Sequence, residues 1–147
     1  MTLSIFPFRA RVRWLALCLL PLLLWAAWQA WTQSGLHNLA EGWRRAHAAR
    51  DVAAMEALYH WEGVDEALRN RIRSVFIQEF ELEVLDVKVR PLLSTDLIPG
   101  LERKINGQPI GLIEVRFAAE DDLSARLVAG RQGRDFRFLI VVPVAGP

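Results

Sequence analysis

The chain carries one cysteine, Cys18. A single thiol excludes an intramolecular disulfide and a cysteine-based metal cluster. Charge is also missing over a long interval: no Lys, Arg, Asp or Glu stands between Arg13 and Glu41. A gap of that length in an apolar context excludes a chain that is water-exposed throughout. Nor is there a basic excess. The net charge is +1 over 147 residues, and Arg9, Arg11 and Arg13 precede the gap, so the remainder is slightly acidic. Nucleic-acid binding calls for a basic footprint that neutralises phosphates, and none is visible. Cys18 is not read as a lipid acceptor, because Leu17 before it is not small and the apolar run continues past it. It fits as a small apolar residue within a membrane helix.

The gap is filled by a Leu-rich run from Trp14 to Trp31. At a rise of about 1.5 Å per residue, about 20 residues cross a hydrocarbon core of about 30 Å. Trp14 marks one end, while Trp25, Trp28 and Trp31 gather toward the other, the placement expected of aromatic side chains at the headgroup level. The expectation is a transmembrane signal anchor over 14–34, preceded by a basic cytoplasmic tail over 1–13. Arg9, Arg11 and Arg13 flank one side, and no base follows until Arg44. The positive-inside rule then puts residues 36–147 across the membrane. In a bacterium this describes a single-pass inner-membrane protein with a periplasmic carboxyl-terminal domain. The competing reading is a cleaved signal peptide. Such peptides have an apolar core of about 7–15 residues and a small-x-small cut site. Thr32-Gln33-Ser34 is a passable site, but the longer core favours an anchor. Pro21 is tolerated inside a membrane helix. Ala26 and Ala30 form a small-xxx-small pair that allows close helix approach, and also occurs as plain composition. Thr32 to Gly35 reads as a short linker.

Beyond it the periodicity predicts one domain. Leu36, Leu39, Trp43, Ala46 and Arg50 step by three and four, with His47 beside them, so a helix is expected over Leu36–Arg50. Asp51 is placed to cap a second, short helix through Tyr59, and Gly63 breaks the chain. A third helix is expected over Asp65–Phe80, its apolar stripe Leu68, Ile72, Val75, Phe76 and Phe80. Arg69, Arg71 and Arg73 are read as a solvated side of it. The period then changes to two. The strand over Glu81–Leu92 slips phase at Val84-Leu85, which predicts a bulge. Leu101–Gly107 predicts a short strand into an Asn106-Gly107 turn. Ile110–Ala119 repeats the slip at Leu112-Ile113. Ser124–Ala129 and Phe136–Val142 form the last pair, with the final strand central because both its faces are apolar. The fold class is therefore α+β: one amino-terminal transmembrane helix, then two or three helices on a bent antiparallel sheet of four to five strands.

The segment Ala49-Arg50-Asp51-Val52-Ala53-Ala54-Met55-Glu56-Ala57-Leu58-Tyr59, followed by bulged strands, resembles the nuclear transport factor 2-like (cystatin-like cone) superfamily over 36–144. The shared pattern is an Arg-Asp turn and a short helix ending in Leu-Tyr. The strand pair that many members place between their second and third helices is not found here. The resemblance implies helices enclosed by a curved sheet, and a pocket at the cone mouth lined by Trp43, Tyr59, Trp61, Phe76 and Phe80. His60 lies beside these, and with Glu62 or Asp65 it could form a proton-transfer pair, since histidine titrates near neutrality. No third group is fixed by spacing, and Tyr59 and Trp61 fit equally as core or rim aromatics. No catalytic residue is therefore assigned.

Other constellations carry less. His37 and His47 lie nearly three turns apart on one helix and cannot share an ion. Ser34, Ser74, Ser94 and Ser124 lack a nucleophile-elbow context. The glycines Gly107, Gly111, Gly130 and Gly133 sit at expected turns, without phosphate-cradling spacing. Glu120-Asp121-Asp122 reads as a solvated turn. Neither a metal nor a cofactor is expected. The expectation is a membrane-anchored binding or assembly module, whose partners are the membrane and another protein or a second copy. The alternative is a small-ligand-binding or isomerase/cyclase-type domain.

Overall fold

The computed structural model describes residues 8–93, 96, 103–119 and 123–143, with side chains from Leu20 onward except those of residues 103, 104 and 143. Arg9, Arg11, Arg13 and Trp14 have helical backbone, but their side chains lie outside the described set, as does the whole of Glu120-Asp121-Asp122. The elements are α1 (Phe8–Ala48), α2 (Val52–Glu56), α3 (Glu66–Glu79), β1 (Val84–Pro91), β2 (Arg103–Ile105), β3 (Pro109–Phe117), β4 (Ser124–Gln132), β5 (Asp135–Phe138) and β6 (Val141–Pro143). The expected α+β class is observed: three helices and a four-stranded antiparallel sheet of order β1-β3-β4-β5, with β2 and β6 paired separately.

The chain divides into two compact units, Met1–Ser34 and Gly35–Pro147. In the first, Leu20, Leu22, Leu23, Leu24, Trp25, Trp28 and Trp31 are all exposed, and Trp28 and Trp31 touch with ring centroids 5.4 Å apart. Pro21 lies inside the helix. Among the described residues no helix is long and apolar enough to cross a membrane. The span expected at Trp14–Ser34 thus goes unsupported by the described residues. The linker expected at Thr32–Gly35 is also corrected, since these residues are helical. The Thr32 hydroxyl donates to the Trp28 carbonyl at 2.9 Å, a bond back by one turn that lets threonine sit in a helix.

In the second unit the three-four spacing has the consequence it predicts. Leu36, Leu39, Ala40, Trp43, Ala46 and His47 form the buried side of α1. They pack in one core with Met55 of α2, Phe76 of α3, its C-cap residue Phe80, Ile113, Val115 and Phe117 of β3, Ala129 of β4 and Phe138 of β5. Close approach needs an absent side chain at Gly111. A Cβ there would lie 2.6 Å from Cδ1 of Leu36. Both expected caps form: Asp51 accepts from the Ala54 N–H at 3.0 Å, and Asp65 from the Leu68 N–H at 2.7 Å. Such caps satisfy amides that a helix start leaves bare. Val75, expected in the buried stripe of α3, is instead exposed.

The sheet keeps one face for this core. Register shifts between Val84 and Asp86, as the phase slip predicts. In β3 the irregularity falls at Pro109–Gly111, not at Leu112-Ile113. Leu112 and Ile113 are both buried because each face of the strand is covered at that point. On the opposite face charges pair across strands. Arg90 binds Asp96 through contacts of 2.8 and 2.9 Å, and Glu114 lies 3.7 Å from both Arg90 and Arg126. The last expected strand is two. The chain leaves the sheet at Leu139-Ile140, so β5 is an edge strand and β6 pairs with β2. Apolar residues on both faces of Phe136–Val142 therefore reflect membership of two sheets, not a central position. Gly133, at a φ of 61°, supplies the left-handed residue in the tight β4–β5 turn.

Candidate functional site

The aromatic residues singled out in the sequence fall into two packed groups. Tyr59, which follows α2, lies 5.0 Å from Phe76 and from Phe138 and 6.0 Å from Trp61, centroid to centroid. Burial, together with the carboxylate of Glu79, pushes the Tyr59 phenol far above its ordinary range. Trp61 donates its indole N–H to the Glu56 carbonyl at 2.8 Å and carries Arg69 over its ring at 4.9 Å. The second group is Trp43, His47, Phe80 and Phe117. Trp43 stacks on His47 at 4.9 Å, and its buried indole N–H has no hydrogen-bond partner among the described residues. Such an orphan donor costs about 1–3 kcal/mol, which a residue inside a dense aromatic cluster can offset by area burial.

His60 and Glu62 do meet, Nε2 to Oε2 at 3.3 Å, with His60 buried and Glu62 80% exposed. Asp65 is occupied as the cap of α3. The loop is fixed from elsewhere. Asn106 donates its side-chain amide to the His60 carbonyl and, at 3.1 Å, to the Glu62 carbonyl, while its own Oδ1 accepts the Ile140 N–H at 2.8 Å. The expected Asn106 turn residue is therefore a clasp between the 60–62 loop and the end of the sheet.

The arginines of α3 do not all face water. Arg69 and Arg73 converge on the carboxylate of Glu56, whose side chain is 14% exposed. Arg73 holds both oxygens, one from Nη2 at 3.2 Å. The Arg73 hydrogen bond, aided by Arg69 and opposed by burial, keeps the Glu56 carboxyl below its usual range. This triad ties α2 to α3. The solvated-side reading holds for Arg71, which is exposed, and is corrected for its two neighbours.

A cleft of about 430 Å³ opens elsewhere, between the end of α1 and the start of β1. Its apolar wall is Phe80, Leu82, Val84 and Leu85; its polar rim is Arg44, His47, Arg50 and Glu83. Of the residues proposed from sequence as pocket-lining, only Phe80 borders it. His47 is held by donating Nε2–H to the Glu79 carbonyl at 2.8 Å, which directs the ring between Trp43 and Phe80. Arg50 is positioned by the end of α1. The Asp51 N–H returns to the Ala46 carbonyl and the Arg50 N–H to that of His47, both at 3.0 Å. That pattern needs a left-handed residue after the helix, usually glycine. Here Arg50 takes it, at a φ of 53°. A non-glycine residue in this region costs about 1–2 kcal/mol. Its contact with Glu81, 3.1 Å between two side chains that are 62% and 70% exposed, is worth about 0–1 kcal/mol at best. The sequence reading named Arg44, Arg50 and Leu85 but gave none of them a site role. The available signal was the lack of glycine or asparagine where α1 must end.

The chain matches no protein-family model, no curated protein and no solved structure.

Proposed function

We propose that this chain is a single-pass membrane-anchored protein whose second unit works as a non-enzymatic binding or assembly module, in a bacterium on the periplasmic side of the inner membrane. One observation carries the reading: the large apolar side chains between Leu20 and Trp31 are exposed along α1, with Leu23 67% and Trp25 63% accessible. Each such side chain gains about 1.5–3 kcal/mol when removed from water. A helix that displays them with no protein cover among the described residues is stable in lipid or in an oligomeric contact. The run continues back through Leu19, Cys18 and Leu17 to Trp14 in the sequence, and Arg9, Arg11 and Arg13 orient it by the positive-inside rule. The cone-like, nuclear transport factor 2-like architecture is part of the same proposal, supported by the order of helices before bulged antiparallel strands.

The isomerase or cyclase alternative has less support. Trp43 and Phe76 are buried in the core with Tyr59 packed against it, and among the described residues the one ion pair of His60 is with Glu62. The test is native mass measurement and crosslinking of the full chain in mild detergent. The module reading expects a discrete oligomer or a co-purifying protein. A strictly monomeric, partner-free chain contradicts it.

A further inference from the structure

We propose that the cleft between the end of α1 and the start of β1 binds a singly charged amphiphilic carboxylate, its head between Arg44 and Arg50 and its apolar part on Phe80, Leu82 and Leu85. The inference goes beyond the anchored-module reading and does not depend on where the chain resides.

Four features converge. The cleft, about 430 Å³, lies in the size range of small-molecule sites. Its two cations are guanidinium groups, whose fork of donors matches a carboxylate. Among the described residues Arg44 is engaged by Glu41 at a long 3.9 Å, and Arg50 by an exposed glutamate, so both are available to an incoming anion at small cost. The left-handed backbone at Arg50 is the second feature. Strain of this kind gathers at functional sites, and the exposed pair with Glu81 does not repay it. Third, His47 is buried, is held through Nε2 and lines the same cleft. Fourth, the opposite wall is apolar and includes Leu85, the residue at the β1 bulge, which is 57% exposed. A bulge re-aims a side chain, here toward the mouth. The rim carboxylate of Glu83, with Glu81 beside Arg50, limits the charge that the site accepts, which favours one negative charge over two.

The experiment uses the full chain in amphipol with isotope-labelled histidine, so that His37, His47 and His60 report separately. Octanoate is the probe, acetate the head alone, and octyltrimethylammonium the same chain with the opposite charge. Octanoate should shift the His47 ring signals saturably and leave those of His60 in place. Acetate should bind at least ten-fold more weakly, and the ammonium amphiphile should not saturate. Arg50→Gly should weaken octanoate at least ten-fold with the thermal midpoint unchanged or raised, since glycine suits the left-handed position. Arg44→Gln should weaken it without unfolding the domain. Equal affinity in Arg50→Gly, equal binding of the ammonium amphiphile, equal binding of acetate, or no His47 shift would each overturn the assignment. So would a fall in the midpoint of Arg50→Gly, which would make Arg50 a structural residue.

Discussion

Trp25 and Trp43 are the same residue type in helical backbone, yet one is 63% exposed and the other is sealed. The difference lies in what the rest of each unit supplies. Around Trp43, the strands β3 and β5 and the end of α3 bring Phe117, Phe138 and Phe80 to the apolar side of α1, so burial is completed within the protein. Around Trp25 the described residues of the first unit supply only the helix itself. Apolar side chains that a fold leaves uncovered require a surrounding that covers them. The contrast therefore separates apolar residues that make the fold from apolar residues that it leaves exposed.

The sharpest way to break that comparison is a pair of substitutions. Trp43→Ala should cost about 3–5 kcal/mol of second-unit stability, because it opens a cavity in the core. Trp25→Ala should leave that stability within about 0.5 kcal/mol. Denaturant titration of the full chain, read by near-ultraviolet circular dichroism, checks both. Similar losses would dissolve the distinction between the two regions. Next in size, Gly111→Val should destabilise by about 1–3 kcal/mol, since the added carbons meet Leu36, which is itself buried. A neutral result would mean that α1 and β3 are not in tight contact.

How much of this was legible follows from which forces are local. Caps are local, and Asp51 and Asp65 were readable as such. So was the buried side of α1, because a three-four step fixes a helix face whatever packs on it. The bulge at Leu85 was readable from its phase slip, whereas the same signal at Leu112-Ile113 came from a strand buried at both positions. The end of the sheet was not. Phe136–Val142 alternates like one strand, and only Asn106, bonding to Ile140 from 34 residues away in sequence, shows where it breaks. The arginines of α3 were misread for a related reason. Their partner Glu56 belongs to another helix, and charge pairing between elements leaves no periodic trace. The expected pocket residues were correctly read as apolar and aromatic, but aromatic composition does not distinguish a filled core from an open site. The cleft that does open is bordered by the helix end, which the pattern of Ala48, Ala49 and Arg50 marks only by the absence of glycine.

Three smaller effects sharpen the account of the second unit. Asp65→Ala should cost about 1 kcal/mol by removing the α3 cap. Calorimetry would register it, and no loss would mean that water replaces the cap. The smallest effect should be of opposite sign. Burial holds the Glu79 carboxyl above its ordinary range, so its ionised form disfavours the fold at neutral pH, and that penalty fades as pH falls through the raised value. Glu79→Gln should therefore stabilise slightly at pH 7 and lose that advantage in acid. Glu56 runs the other way: its carboxyl is held low by Arg73, so its contribution is full at neutral pH and is lost as pH falls through the lowered value. Glu56→Gln should thus destabilise at pH 7 and not in strong acid. The same pH slope for both variants would contradict these assignments.

The most direct measurement on the whole account is fractionation of cells expressing the full chain, followed by alkaline extraction of the membranes and sequencing of the amino terminus of the recovered protein. The account predicts a chain that stays in the extracted membrane and still contains Trp14 to Trp31. Recovery of the intact chain in the aqueous fraction, or of a shortened chain that starts near Gly35, would contradict it.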